Sequence, residues 1–196
     1  MDAILQDGCF LEDHMTDFAF PLQAAIRVTR DHPVDSILEA TARSLVADGR
    51  KVVGYLQREG AGEGECCGEI ALEDIATGEL VTISQALGSG ARGCRLDPQA
   101  LVGVAGSLLA RLDDDTDLMI LNRFGKGESE GQGFRAVIEE ACIRGVPVLT
   151  VVRDEYVQAW EQFSGEFGCL LKPDPEAVLT WSRRATVAAR NSRDAA

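Results

Sequence analysis

Between Gly145 and Arg153 the chain reads Val146-Pro147-Val148-Leu149-Thr150-Val151-Val152, a stretch without a charge. A strand this uniformly apolar has to be covered on both faces, as happens inside a parallel sheet with helices above and below it; a sheet with one wet face would alternate instead. Upstream, DLMIL at 117–121 reads the same way, and Phe134 to Arg144, closed by Gly145, supplies a helix between the two strands. Consecutive strand–helix units of this kind predict a parallel sheet.

The flanking sequence continues the alternation. QAAIRVT at 23–29 reads as a strand, and Val34 to Asp48 as a helix with Ile37, Leu38, Leu45 and Val46 on one face, stopped by Gly49. KVVGYLQ at 51–57 is the next strand, followed by the acidic, glycine-rich loop REGAGEGE. GEIALED and ELVTIS, around Ala76-Thr77-Gly78-Glu79, predict a β-hairpin inserted between the α/β units. Asp97-Pro98 starts a helix running to about Leu112, because Asp caps well and Pro is tolerated at the first helical position. A helix over Glu155 to Phe163, an edge strand FGCLLK and a last helix from Pro175 to about Arg184 complete the pattern. The predicted class is α/β: three layers, a mostly parallel sheet with helices on both faces, and a hairpin insertion. The expected division is an acidic arm at 1–20, one domain at 21–184 and a polar tail at 185–196.

Charge narrows the function classes. With 32 acidic and 19 basic residues, the net charge of -13 argues against general nucleic-acid binding and against anionic membrane surfaces, since both need clustered Lys and Arg. No apolar run approaches the roughly 20 residues of a membrane helix. MDAILQDGCFLEDHMTDFAF carries no Lys or Arg and so lacks the basic start of a secretory signal, which predicts a soluble, cytoplasmic protein. The six cysteines, spread along the chain, read as reduced thiols.

Ligands of open parallel sheets bind beyond the carboxyl ends of the strands. The strands here run into Arg30, Arg58, Arg123 and Arg153, and NRFGKGESEGQG at 122–133 adds Asn122, Gly125 and Lys126. Arginines gathered at one edge repel one another unless an anion or carboxylates neutralise them, so the pattern points to an anionic ligand. Local pairing with Asp31, Glu59, Glu128 and Asp154 is the alternative. A second basic element, ISQALGSGARGCRLD at 83–97, sets Arg92 and Arg95 among glycines just before a helix start. Backbone N–H groups can converge on an anion there, although Asp97 as N-cap competes for the same donors.

Two metal readings are set aside. Asp113, Asp114, Asp115 and Asp117 precede their strand and so lie at its amino end, where a solvated helix-to-strand loop is expected rather than a cation site. Cys66, Cys67 and Cys94 lack a CxxC pair or an accompanying His, so no metal is expected.

Taken together, Val53-Gly54-Tyr55-Leu56-Gln57, ISQALGSGARGCRLD, NRFGKGESEGQGFR and GVPVLTVV resemble a family of bacterial proteins known as a domain of unknown function, over about residues 22–182. Members are sometimes labelled molybdenum-transport ATP-binding proteins, so the resemblance implies a nucleotide or an oxyanion such as molybdate as ligand. More distantly, the element order is similar to the small P-loop nucleoside-triphosphatases. TRDHPVDS at 29–36 stands at the phosphate-loop position without GxxxxGK[ST], and Asn122-Arg123 stand where that group carries Asp-Glu. The resemblance therefore implies a P-loop-like fold without ordinary NTP hydrolysis.

The leading expectation is a small-anion or nucleotide-phosphate site built from Arg123, Lys126, Gly125 and Asn122, with Arg95, Arg92, Arg153 and Arg30 as further candidates; no cofactor is named. The alternatives are a divergent nucleoside-triphosphatase or phosphoryl-transfer enzyme using Glu128 or Glu130, and an interaction subunit whose partner is a protein or a second copy.

Overall fold

In a computed structural model the described residues are 20–29, 34–59, 70–85 and 95–195. In chain order they form β1 (Gln23–Val28), α1 (Asp35–Ala47), β2 (Val52–Glu59), β3 (Ile70–Asp74), β4 (Leu80–Thr82), β5 (Ser84–Gln85), β6 (Arg95–Leu96), α2 (Pro98–Arg111), β7 (Leu118–Phe124), α3 (Lys126–Ser129), α4 (Arg135–Ile143), β8 (Val148–Arg153), α5 (Val157–Ser164), β9 (Gly168–Leu171) and α6 (Pro175–Asp194). The main sheet has the order β4-β3-β2-β7-β8-β1-β9; β5 and β6 pair separately. From β2 to β9 the neighbours are parallel, and β3 and β4 extend the β2 edge as an antiparallel hairpin. This is the three-layer, P-loop NTPase-like α/β architecture with a hairpin insertion.

Strand alternation divides the core into two layers. Val53, Tyr55, Met119, Leu121, Val148 and Val152 face α2, α4 and α5, while Val52, Leu56, Leu118, Ile120, Leu149 and Val151 face α1 and α6. Each helical layer contributes a fully buried tryptophan, Trp160 from α5 and Trp181 from α6. Truncating such a side chain costs about 3–5 kcal/mol, so each anchors its layer. Gly54 shows how closely the central strands pass: at φ +129, a Cβ there would lie 1.9 Å from the Ile120 carbonyl oxygen.

The helices begin and end where capping chemistry dictates. Asp97 accepts from the amides of Gln99 and Ala100 to start α2, and Asp174 accepts from Ala177 to start α6, each with Pro at the first turn. Two boundaries differ from expectation. β7 continues through Asn122 and Arg123 to Phe124, with a register irregularity against β8, so those two residues belong to a strand end and not to the loop. α6 runs to Asp194, so the polar tail expected at 185–196 is helix over most of its length. Ala185, Thr186 and Ala189 are buried there, and their small side chains let α6 pack on α1 without the large apolar residues that would have marked a core face.

The longer α6 also closes the amino end of the sheet. Asp117 is fully buried, and Arg190 clasps it with Nε at 2.5 Å and Nη2 at 2.7 Å, while the Lys51 amide donates to the same carboxylate at 2.8 Å. Arg193 Nη1 adds donors to the Asp114 carbonyl at 2.5 Å and the Thr116 carbonyl at 3.0 Å. Asp113, Asp114 and Asp115 are exposed as expected, but Asp117 is not part of a solvated loop: its neighbours turn it inward as the acceptor that fixes α6. Asp117→Ala is expected to destabilise the protein by about 2 kcal/mol, because it removes the shared acceptor of the Lys51 amide and the half-exposed Arg190 guanidinium and so frees the end of α6, whereas Asp115→Ala stays within about 0.5 kcal/mol. Urea denaturation of the two variants measures the contrast.

Candidate functional site

Strand order decides whether the basic strand ends can meet. β2, β7, β8 and β1 are consecutive neighbours, and the register sets Arg153 beside Val28 and Val152 beside Phe124, so their carboxyl ends form one continuous edge. The chain leaves β1 through α1 on one face of the sheet and leaves β8 toward α5 on the other. β1 and β8 are therefore the point where the winding reverses, the crevice in which open α/β sheets bind ligands.

The charges along this edge fall into different states. Arg58, on β2, is neutralised locally by Glu39 at 2.9 Å and Glu73 at 2.5 Å, and its hydrogen bond to Glu39 holds that carboxyl below the usual carboxylate range. Arg153 is half-buried and makes no ion pair among the described residues; its neighbour Asp154 pairs with Arg27 at 2.6 Å instead. Lys126 Nζ lies 3.8 Å from Glu130 with both side chains largely exposed, a pair of small energetic weight that leaves the ammonium accessible. Arg123 is half-buried on β7 and has interactions of its own. Arg30 and Arg92 lie outside the described residues, and of Arg95 only its backbone place in β6 is described.

The loop after β7 is more ordered than its glycines imply. Gly125 ends the strand, and Lys126 to Ser129 form the single turn α3. Glu128, only 8% exposed, turns back so that one carboxylate oxygen accepts from the Gly125 amide and the other from the Phe134 amide, each at 3.0 Å. Gly133, at φ +61, packs so close that a Cβ would sit 2.2 Å from a Glu128 oxygen. Glu128 is thus the internal brace of the loop. Glu130 stays exposed and contacts Lys126.

A further contact was not anticipated from the pattern of residues. Asn122 is 7% exposed, its Nδ2 donates to Asp35 Oδ1 at 2.7 Å, and its own Oδ1 is buried without a hydrogen bond from the described residues. Asp35 opens α1. Laid on GxxxxGK[ST], TRDHPVDS sets Val34 at the second glycine, Asp35 at the lysine and Ser36 at the hydroxyl position. A carboxylate therefore occupies the first turn of α1, where it favourably meets the helix dipole and opposes a phosphate at the same spot. This register was the one signal in the sequence that could have revealed the pair.

Among the described residues no group of three or more His, Cys, Asp or Glu side chains could hold a metal ion, and no helix is long and apolar enough to cross a membrane. Cys142 and Cys169 are partly buried and lie in no disulfide among the described residues; Cys9, Cys66, Cys67 and Cys94 lie outside them. Burial pushes the Cys142 thiol up to about 11, and Gln23 Nε2 donates to its Sγ at 2.6 Å, so it serves packing rather than nucleophilic chemistry.

A family described as "Protein of unknown function (DUF2478)" matches residues 23–181, which includes every strand of the main sheet. The chain belongs to this family. It is also similar to a molybdenum import ATP-binding protein, ModC 2, of Bradyrhizobium diazoefficiens, with 31% identity over 171 residues. That alignment covers 87% of this chain but 19% of the relative, so the chain spans about a fifth of that protein's length. No solved structure matches the chain. Within this DUF2478 domain the Glu128 brace is what gives the loop after β7 its shape. Glu128→Ala is expected to cost about 2 kcal/mol through two unpaired amides, and Gly133→Ala to strain the same turn, both read as lowered urea midpoints.

Proposed function

We propose that this DUF2478 domain binds a small anion, either an oxyanion such as molybdate or the phosphate of a nucleotide, at the carboxyl edge of β7 and β8, without ordinary NTP hydrolysis. Arg153 and Arg123 supply bidentate guanidinium contacts, Lys126 adds an accessible point charge, and Gly125 permits close backbone approach. The observation that carries the reading is the half-buried Arg153 at the β1/β8 reversal, whose adjacent carboxylate is already engaged by Arg27. A cation held partly out of water gains most from an anionic partner.

The likeness to a protein named for molybdenum import and ATP binding supports an oxyanion or nucleotide as ligand class. The same geometry speaks against hydrolysis. With Asp35 at the lysine position and Asn122 at the acidic strand end, these two described residues supply neither the cation for a γ-phosphate nor the strand-end carboxylate for magnesium, and Asn122 donates to Asp35 instead. Glu128 is likewise committed to the Gly125 and Phe134 amides, which removes it as a general base.

Thermal unfolding with molybdate, tungstate, sulfate, phosphate and ATP tests the proposal. A ligand at about 100 times its Kd adds about 2.7 kcal/mol to the folded state, a clear rise in midpoint. That rise is expected for at least one of these anions and is expected to be lost in Arg153→Ala and reduced in Arg123→Ala. An unchanged midpoint with every anion sinks the reading, and magnesium-dependent ATP turnover that disappears in Lys126→Ala replaces it with a phosphoryl-transfer enzyme.

A further inference from the structure

On the outer side of α6 lies a groove of about 420 Å³, lined by Phe20, Arg183, Arg184, Val187, Ala188 and Asn191. Positions 184, 187, 188 and 191 recur at helical spacing, so one stripe of α6 forms its floor. Phe20 forms its wall: the ring stacks on Trp181 with centroids 6.4 Å apart, and the Arg184 guanidinium lies 5.3 Å from the ring centre. Val187 is 48% exposed, and the Arg183 side chain is half-exposed even though it reaches Asp48 at 2.9 Å. The groove thus combines an apolar strip with two guanidinium groups in a protein of net charge -13.

Every residue lining this groove falls outside the stretch 23–181 that defines the family, so the face is built from segments flanking the family core. One segment of the chain has matching chemistry. Residues 1–19 contain Asp2, Asp7, Glu12, Asp13 and Asp17 with no Lys or Arg, interspersed with Ile4, Leu5, Phe10, Leu11 and Phe18. This segment joins the fold at Phe20, the wall of the groove itself. Being tethered there, it meets the groove at an effective concentration in the millimolar range, enough for a contact too weak to hold a free peptide.

We propose that the groove on α6 is the docking site of the chain's own acidic N-terminal segment, residues 1–19, with its carboxylates set against Arg183 and Arg184 and its apolar side chains against Val187 and Ala188. Long-range attraction between the acidic segment and the two arginines selects the face, and apolar burial along the strip holds it. The segment then covers a basic, partly apolar surface that this acidic protein otherwise leaves open to partners.

Amide hydrogen exchange on the full chain tests the docking. The amides of residues 3–19 are expected to exchange about tenfold slower than in an unstructured peptide of the same sequence. Arg184→Glu and Val187→Asp are each expected to return them to the peptide rate, and about 0.5 M NaCl to speed them in the unmodified chain. Persistent protection of the Trp181 and Ala185 amides verifies that each variant keeps α6 folded. Exchange at the peptide rate in the unmodified chain overturns the proposal, as does protection that survives both substitutions. Protection that grows with protein concentration also overturns it, since the occupant would then be a second copy.

Discussion

Parallel strands buried on both faces make every polar side chain among them costly, and that constraint shapes this protein from end to end. The inner strands solve it with Val, Ile, Leu, Met and Ala, and polar groups are pushed to the two ends of the sheet. Thr150 on β8 is fully buried with its hydroxyl unpartnered among the described residues, whereas a buried carboxylate needs compensation. Asp117, at the amino end of β7, is tolerated only because Arg190 and the Lys51 amide surround its carboxylate. That requirement reaches far along the chain, since it is what holds the last turns of α6 against the amino end of the sheet. Asn122, at the other end of the same strand, is met in part: its Nδ2 donates to Asp35, while its Oδ1 stays unpartnered among the described residues.

Much of the architecture was legible because the core obeys simple periodicities. Continuous apolar runs marked the inner strands, Asp97-Pro98 and Gly145 marked helix ends, and Ala76-Thr77-Gly78-Glu79 marked the hairpin. What stayed hidden depended on contacts between residues far apart in the chain. α6 extends past Arg184 because its buried face is made of Ala and Thr, which carry little hydrophobic signal yet allow close helix packing. Asp117 read as one more member of an acidic loop, because nothing local distinguishes it from Asp114 or Asp115; only Arg190, brought in by α6, makes it a buried acceptor.

The candidate site was legible in outline and not in detail. A strand running into NRFGKGE shows that charge gathers beyond β7, but only strand order shows that the ends of β2, β7, β8 and β1 are neighbours. The local-pairing alternative is also met in an unexpected way: Asp154 stands next to Arg153 yet pairs with Arg27 of β1 at 2.6 Å, a partner that only strand order brings near. Glu128 looked available for chemistry until its position under Gly133 showed both carboxylate oxygens spent on backbone amides.

The Asp35–Asn122 contact links fold to function most directly. In a P-loop hydrolase the helix after the first strand and the end of the acidic strand carry opposite charges toward the same nucleotide, a cation for phosphate and a carboxylate for magnesium. Here the helix carries the carboxylate and the strand carries a neutral amide, so the two join each other across the gap at 2.7 Å. The contact ties the first turn of α1 to the end of β7, and it is one support for the proposal that this domain does not hydrolyse nucleotides by the ordinary route. Along the same edge, at the ends of β7 and β8, Lys126 is largely exposed and Arg153 is half-buried without an ion pair among the described residues. The proposed anion site asks less of such an edge than hydrolysis would, because capture requires only matched charge and partial desolvation, whereas turnover also requires a metal and a positioned water.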